Sequence, residues 1–389
     1  MENKKTTQNI ILIFLISIIL FIVKCKKEST PESLATPAIP ALGMSGSLAS
    51  AVTFVHPGVL NTQSSLNLAG SQVISGNSVR TAAYEKVTEF IKGHKYPTSF
   101  PSTVVVGSDG ATSPSKKQIR SDAELVYATA LEWAETGNVE YADQAIAILN
   151  GWSYNFKKYA LLNSKTNPNQ PDLEASWTTP SFVAAAEIIR YYQVNGKGAG
   201  WAAADINQFS NYLNTVLNNY IVKVPDYSNN WDATSGYAQM AIGVFLNNTT
   251  VYQAGEAFIK HYLPIVIEPD GTLPELCERK DCVHYQYSLT AFSYAAEIAR
   301  IQGDNSIWTA NSNLISAGYD FMRKAYAQET GCNYCKISSP VYPGTEVAYN
   351  YYKTSNLLYL RGLQAPLGVP EDNTFLGFTT YTDFNEPSL

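Results

Sequence analysis

The chain has 389 residues, 45% of them hydrophobic, which is enough for one large domain or two ordinary ones with a substantial core. The formal net charge is −6, and no long Lys/Arg-rich stretch appears in the body of the chain. Phosphate binding needs an extended basic face, so these values argue against a nucleic-acid-binding protein. The 26 tyrosines and 6 tryptophans suit contacts with sugars, although a tyrosine-rich core is the alternative interpretation.

The N-terminus has the pattern of a secretion signal. Lys4 and Lys5 precede an apolar run over residues 10–23, which is too short for a comfortable membrane span. Residues 1–24 are therefore predicted to be a signal peptide.

The residues after this signal resemble the start of a bacterial lipoprotein. Cys25 is followed by a stretch rich in proline, alanine, serine and glycine, so residues 25–50 are predicted to be a lipidated N-terminus and flexible linker. The usual motif has a small residue before the cysteine, whereas Lys24 stands here, which leaves an uncleaved anchor as the alternative. We expect an exported protein, at the cell surface or in the periplasm, that meets the membrane only through this end.

Residues 51–389 are predicted to form one mostly helical domain. The only obvious strand candidate is the apolar run at 103–107, and short segments rich in glycine, asparagine or proline separate the helices. Consecutive antiparallel helices can form a bundle, a solenoid or an α/α toroid. Helical periodicity predicts helices at 121–136, 141–150, 178–194, 205–221, 231–247, 252–263, 286–302, 307–326 and 346–361.

Four cysteines lie in two close pairs within this domain. They are Cys277 with Cys282 and Cys332 with Cys335. Export to an oxidising compartment favours disulfides, with three possible connectivities, over a zinc site.

The segment 269–289 gathers groups that transfer protons and bind anions. Arg279 is followed by His284 and Tyr285, so a permanent positive charge is expected beside a phenol. Such a pair suits proton abstraction next to a carboxylate, because a cation favours the phenolate.

Two further clusters carry polar groups on predicted helices. Asn229, Asn230 and Trp231 begin one helix, where the amides can cap the helix or hold a sugar carboxylate against the indole. Tyr349 and Asn350 lie on a later helix that, taken alone, would be interpreted as part of the core.

In their order along the chain, these motifs resemble the alginate lyase superfamily of all-α polysaccharide lyases. The resemblance rests on VTFVHPGVLNT, YADQAIAILNGWS, WTTPSFVAAAEIIRYY, NNW with MAIGVF, DGTLPEL, Arg279, the His-Tyr pair at 284–285, and AAEIA with QGD, and it covers most of residues 51–363. It implies an incomplete α/α toroid that cleaves uronate-containing polysaccharides, such as alginate or a glucuronan, by β-elimination. An anionic polysaccharide is the expected partner, the protein is expected to be a monomer, and neither cofactor nor metal is expected.

By position, the resemblance assigns neutralisation of the substrate carboxylate to Asn230 and Arg279, and proton transfer to Tyr285. The usual histidine after the asparagines is replaced by Trp231. A single tyrosine acting as both base and acid would favour syn elimination, hence mannuronate or glucuronate linkages. His284 is a further catalytic candidate, with a structural role as the alternative.

The remaining candidates are expected to bind substrate. Asn229 and Trp231 belong to this group, as do Tyr349 and Asn350. Trp177, in WTTPSF, and His56, in VHPG, complete it, although a lone histidine is more often structural.

Two other functions fit parts of the pattern. An inverting α/α glycoside hydrolase would need two carboxyl groups roughly 6.5–9.5 Å apart, for which Glu275, Glu278, Asp281 and Asp232 are candidates. A surface glycan-binding lipoprotein would use the helices and aromatic residues without chemistry.

Overall fold

The computed structural model describes residues 53–385. The predicted signal peptide, Cys25 and the linker to residue 50 lie outside this range. None of the helices within it has the length and apolar character needed to cross a membrane.

Helices dominate the described residues, as predicted. The first seven are α1 (Gln63–Ile74), α2 (Ser78–Gly93), α3 (Pro114–Thr136), α4 (Val139–Asn155), α5 (Gln170–Tyr191), α6 (Ala203–Asn219) and α7 (Asn230–Phe245). They are followed by α8 (Thr249–Val266), α9 (Glu275–Arg279), α10 (His284–Ile301), α11 (Ser306–Tyr326), α12 (Gly344–Tyr352), α13 (Ser355–Gly362) and α14 (Thr379–Asp383).

The long helices form two layers. Each inner helix packs against the next one in the order α3, α5, α7, α10 and α12. Each also packs against the outer helix that follows it in the chain, namely α4, α6, α8, α11 and α13. Every residue of α7 is buried, whereas the outer helices α6 and α8 bury one face, as amphipathic helices do. The prediction of an all-α fold, an incomplete α/α toroid, is confirmed.

Close contact between inner and outer layers depends on glycine where α7 meets α8. A Cβ atom added to Gly255 would lie 2.7 Å from the carbonyl oxygen of Gly236, nearer than such atoms approach. The two backbones can therefore touch, which holds the middle of α7 close to α8.

All nine predicted helical segments are helical in the structure, with two interruptions. Within the segment predicted at 307–326, residues 310–313 leave the helical conformation and kink α11. The segment predicted at 346–361 is two helices, α12 and α13, because Lys353 adopts a left-handed conformation with φ of 53° between them. Helices α1 and α2 had not been predicted. The strand candidate forms β1 (Thr103–Val106), which pairs in parallel with β2 (Lys158–Leu161).

Residues 363–385, here called the C-terminal segment, connect the two ends of the helical array. Its helix α14 packs against α12 and also against α1 and α2. The buried side chains of Phe375, Leu376 and Phe378 attach it to the core, and Arg80 donates to the carbonyl oxygens of Tyr381 and Phe384.

Two disulfides clamp the loop around α9. Cys277 is bonded to Cys332, and Cys282 to Cys335. The prediction of disulfides is confirmed, and both bridges hold α9 and the start of α10 against the loop that precedes α12.

Candidate active site

A cleft of about 470 Å³ lies where the inner helices begin. The first turns of α3, α5, α7 and α10 contribute to it, together with α9, the loop after β1 and the C-terminal segment. Its charged, amide, imidazole and aromatic side chains include Lys116, Arg120, Trp177, Asn230, Trp231, Arg279, His284, Tyr287 and Asp372.

Two of the cleft's cations are compensated by contacts within the protein. Arg120 forms a bidentate pair with Glu174, at 2.5 and 2.7 Å, and donates to the backbone oxygen of Asp372 at 2.9 Å. Lys116 donates to the carbonyl oxygen of Gly107 at 2.8 Å and lies 3.8 Å from Glu174. Most of their hydrogen-bonding capacity is therefore used in holding the cleft wall together.

Of Lys116, Arg120 and Arg279, Arg279 has the weakest contacts with carboxylates of the protein. Its side chain is 40% exposed, and its Nε lies 4.0 Å from Glu275 Oε1, at the limit of an ion pair. A guanidinium in this state can form new bidentate hydrogen bonds to a carboxylate. Its place at the end of the short helix α9 is secured by the neighbouring disulfides.

Asn230 lies at the floor of the cleft, at the first position of α7. It is fully buried, and its Nδ2 donates to Glu275 Oε1 at 2.6 Å. Its Oδ1 has no hydrogen-bond partner among the described residues. An amide nitrogen has two N–H donors, and the second N–H of Asn230 has no acceptor among the described residues.

His284 begins α10 and forms a pair with Asp281. Its Nδ1 donates to Asp281 Oδ2 at 2.7 Å, and the backbone N–H groups of Val283 and His284 donate to Oδ1. Burial raises the pKa of Asp281, but these hydrogen bonds outweigh burial and hold it at about 2. No partner of His284 Nε2 is found within residues 53–385, and the side chain is 34% exposed. This nitrogen is available as a proton acceptor.

Tyr287 places a phenol in the same cleft. Its hydroxyl donates to Asp372 Oδ2, which also accepts from Tyr342 at 2.9 Å. The ring centroids of Tyr287 and His284 are 5.2 Å apart. Burial and the Asp372 carboxylate raise the pKa of Tyr287, so its neutral form is favoured.

The expected position of Tyr285 requires correction. Its side chain is fully buried, and its hydroxyl lies 3.3 Å from Cys335 Sγ and 3.8 Å from Cys282 Sγ instead of lining the cleft. Burial raises its pKa well above the ordinary value. Successive helical residues point about 100° apart, so His284 and Tyr287, three positions apart, share the cleft face while Tyr285 does not.

His56 is also placed away from the cleft lining. Its Nδ1 contacts both oxygens of Glu187, at 2.9 and 3.1 Å, and its Nε2 contacts Asn247 Oδ1 at 3.1 Å. Its ring stacks on Tyr191. Burial lowers the pKa of His56, but the Glu187 carboxylate outweighs burial and leaves it raised. The position fits the structural alternative.

Three other expected substrate-binding side chains have partners elsewhere. Asn229 caps α7 by accepting from the backbone N–H of Trp231 at 3.0 Å, which is the capping alternative. Asn350 accepts from Lys353 at 2.8 Å, and the ring of Tyr349 lies under the same ammonium group. None of the three lines the cleft.

The two expected tryptophans do line the cleft. Trp231 packs edge-to-face on Tyr227, and Trp177 lies beneath the Arg120 guanidinium, 4.8 Å from its ring centroid. Both are partly or largely buried, so their orientation is set before a ligand binds.

Sequence reasoning missed Lys116, Arg120, Tyr287 and Asp372. The sequence did indicate that Tyr287 shares a helix face with His284, since it lies three residues further along a predicted helix. No such indication existed for Asp372, because it is in an irregular segment distant from every motif.

Comparisons with known proteins agree with this architecture. The family model for alginate lyase matches residues 80–331. No curated protein matches the chain.

Among solved structures, alginate lyase A1-III from Sphingomonas species A1 is 16% identical, with a TM-score of 0.63 over 84% of this chain and 97% of that one. An alginate lyase from Bacteroides ovatus is 12% identical, also with a TM-score of 0.63, over 85% of this chain and 100% of that one. A histidine-to-alanine variant of A1-III complexed with a tetrasaccharide is 16% identical, with a TM-score of 0.61 over 84% and 97% of the two chains. The chain belongs to the alginate lyase family and is a polysaccharide lyase.

Proposed function

We propose that the protein cleaves a uronic-acid-containing polysaccharide by β-elimination in this cleft. The observation that carries the proposal is the convergence of Arg279, Asn230, His284 and Tyr287 on one cavity. These side chains supply a cation, an amide donor, a proton acceptor and a proton donor, which are the groups that the reaction needs.

Arg279 and Asn230 would neutralise the substrate carboxylate. Removing the C5 proton of a uronic acid places negative charge on the C6 carboxylate as an enolate. Preorganised donors are most effective where charge develops in the transition state. Arg279 is exposed to the cleft, and the Asn230 amide nitrogen has one N–H beyond its bond to Glu275.

His284 would act as the base. The bond from Nδ1 to Asp281 fixes the tautomer, which leaves the lone pair of Nε2 to accept the C5 proton. The electrons of the C5–H bond then form the C4–C5 double bond as the bond from C4 to O4 breaks.

Tyr287 would act as the acid that protonates the departing O4. Its raised pKa keeps the phenol protonated, and the proton that it donates to Asp372 Oδ2 would turn to O4 when substrate is bound. Solvent restores the proton to the phenolate and removes the one on His284 after each turnover. This division of labour replaces the sequence-based expectation that Tyr285 performs both transfers.

Trp177 and Trp231 would provide the apolar contacts for sugar rings in the cleft. The alginate lyase complexed with a tetrasaccharide supports an oligosaccharide as the ligand of this fold. Alginate and glucuronan-like polymers are the substrates that we propose. With base and acid on different residues, syn elimination is no longer required, so both uronate configurations are candidates.

A substrate screen tests the proposal. Purified protein is incubated with polymannuronate, polyguluronate, glucuronan and a neutral glucan, and the products are followed by ultraviolet absorbance and by reducing ends. We expect an absorbing unsaturated uronide from at least one uronan and none from the glucan. New reducing ends without that absorbance would identify a hydrolase and overturn the proposal.

A further inference from the structure

Glu275 is a buried carboxylate that connects three elements beneath the cleft. It is 6% exposed and begins α9. Its Oε1 accepts from Asn230 on α7 at 2.6 Å, and its Oε2 accepts from Ser288 on α10 at 3.3 Å. Arg279 lies one turn further along α9, with its Nε 4.0 Å from Oε1. A buried carboxylate is costly unless it is hydrogen-bonded, and these contacts supply the hydrogen bonds that Glu275 needs.

The contact with Asn230 determines which way the amide faces. A side-chain amide has one oxygen acceptor and two N–H donors, and an ionised carboxylate only accepts. Glu275 therefore pairs with the nitrogen of Asn230, and a rotated amide would set two oxygens against each other. The second N–H of Asn230 has no acceptor among the described residues, and the side chain lines the cleft.

We propose that Glu275 is a positioning residue that fixes the Asn230 amide with an N–H group presented to the substrate carboxylate. The inference rests on the proposed function, and it adds to that function a residue that does not itself touch the substrate. A group that needs no reorientation during the reaction stabilises developing charge more effectively.

A double-mutant cycle tests whether the two residues act as a unit. Glu275→Ala, Asn230→Ala and the double variant are compared for kcat and KM on the uronan that the wild type cleaves. We expect each single change to lower kcat by about 10²-fold, with a smaller change in KM, because an oriented donor is lost. The double variant should lose no more than about threefold beyond either single variant. Additive losses, about 10⁴-fold in the double variant, would overturn the proposal.

Two controls separate orientation from support of the fold. Glu275→Gln retains an oxygen acceptor at the same place, so it should keep kcat within about tenfold of the wild type. Ser288→Ala removes the other partner of Glu275 without touching Asn230, and should change kcat by less than about threefold. If kcat falls in either control as far as it falls in Glu275→Ala, a role of Glu275 in orienting Asn230 is contradicted.

Melting curves of all variants establish that they are folded. If Glu275→Ala does not fold, Glu275→Leu, with a side chain of similar size, takes its place in the cycle. Failure of the proposed function has a different signature, namely a wild type that makes no unsaturated uronide. If the wild type is active, Asn230→Ala is impaired and the Glu275 variant has normal kcat, only the positioning role is refuted.

Discussion

Two histidine–carboxylate pairs occur in the described structure, and they are built differently. His56 and Glu187 have side chains that are 12% and 0% exposed, and both ring nitrogens of the histidine have partners. His284 and Asp281 are 34% and 35% exposed, and only Nδ1 of the histidine is bonded within the described residues. The first pair joins the N-terminal residues to α5, whereas the second stands in the cleft.

The difference shows what a proton-transfer site requires beyond a histidine beside a carboxylate. A base needs a nitrogen that is not already engaged, and a route for substrate to reach it. His284 meets both conditions, while His56 meets neither. The following predictions test this contrast, beginning with the largest expected effect.

Replacing His284 with glutamine should lower turnover by about 10³-fold, because the proton acceptor is lost while a donor to Asp281 can be retained. The rate of uronide formation measures the effect, and thermal unfolding shows whether the fold is intact. Turnover within tenfold of the wild type would assign the base to another residue.

Replacing Tyr287 with phenylalanine should lower turnover by about 10²-fold, since the proton donor to the leaving oxygen is removed. Tyr285→Phe is the matched control on the next face of the same helix. It should keep turnover within about twofold, because within residues 53–385 its hydroxyl contacts disulfide sulfur atoms alone. The same kinetic assay compares the two. The reverse ranking would restore Tyr285 as the catalytic tyrosine.

Replacing Asp281 with asparagine should reduce turnover by about tenfold while substrate binding persists. The oxygen that accepts from the backbone is kept, but the charge that orients and supports His284 is lost. Separate measurement of kcat and KM tests this, and a change confined to KM would argue against a role for Asp281 in proton transfer.

Replacing His56 with glutamine should leave turnover unchanged and lower the free energy of unfolding by about 1–2 kcal/mol near pH 6. The folded-state pKa of His56 is raised, so its stabilising contribution is fully present below the unfolded-state value and is lost as the pH rises through the folded-state value. Denaturant unfolding from pH 6 to 9 should therefore show the two proteins converging. A difference that widens with pH would contradict this assignment.

Much of the architecture followed from the order of residues along the chain. Nine helices were predicted from apolar periodicity, because each inner or amphipathic helix must bury a face that recurs at the helical repeat. Helices α1 and α2 were not predicted, although Ala83, Val87 and Ile91 of α2 recur at helical spacing and are buried. Their packing against α3 and the C-terminal segment depends on the tertiary structure.

The sequence by itself determined the chemistry available at the helix ends near the cleft, with Asn230 and His284 at helix starts and Arg279 at the end of α9, because motif and helix boundary coincide there. Only the tertiary structure decided which of these groups meet. The rotation of α10 turns Tyr287 to the cleft and Tyr285 to the disulfides, and the C-terminal segment brings Asp372 to Tyr287 across 85 residues of chain. Periodicity determines which side chains share a face of a helix, and packing against the rest of the chain decides which residues that face contacts.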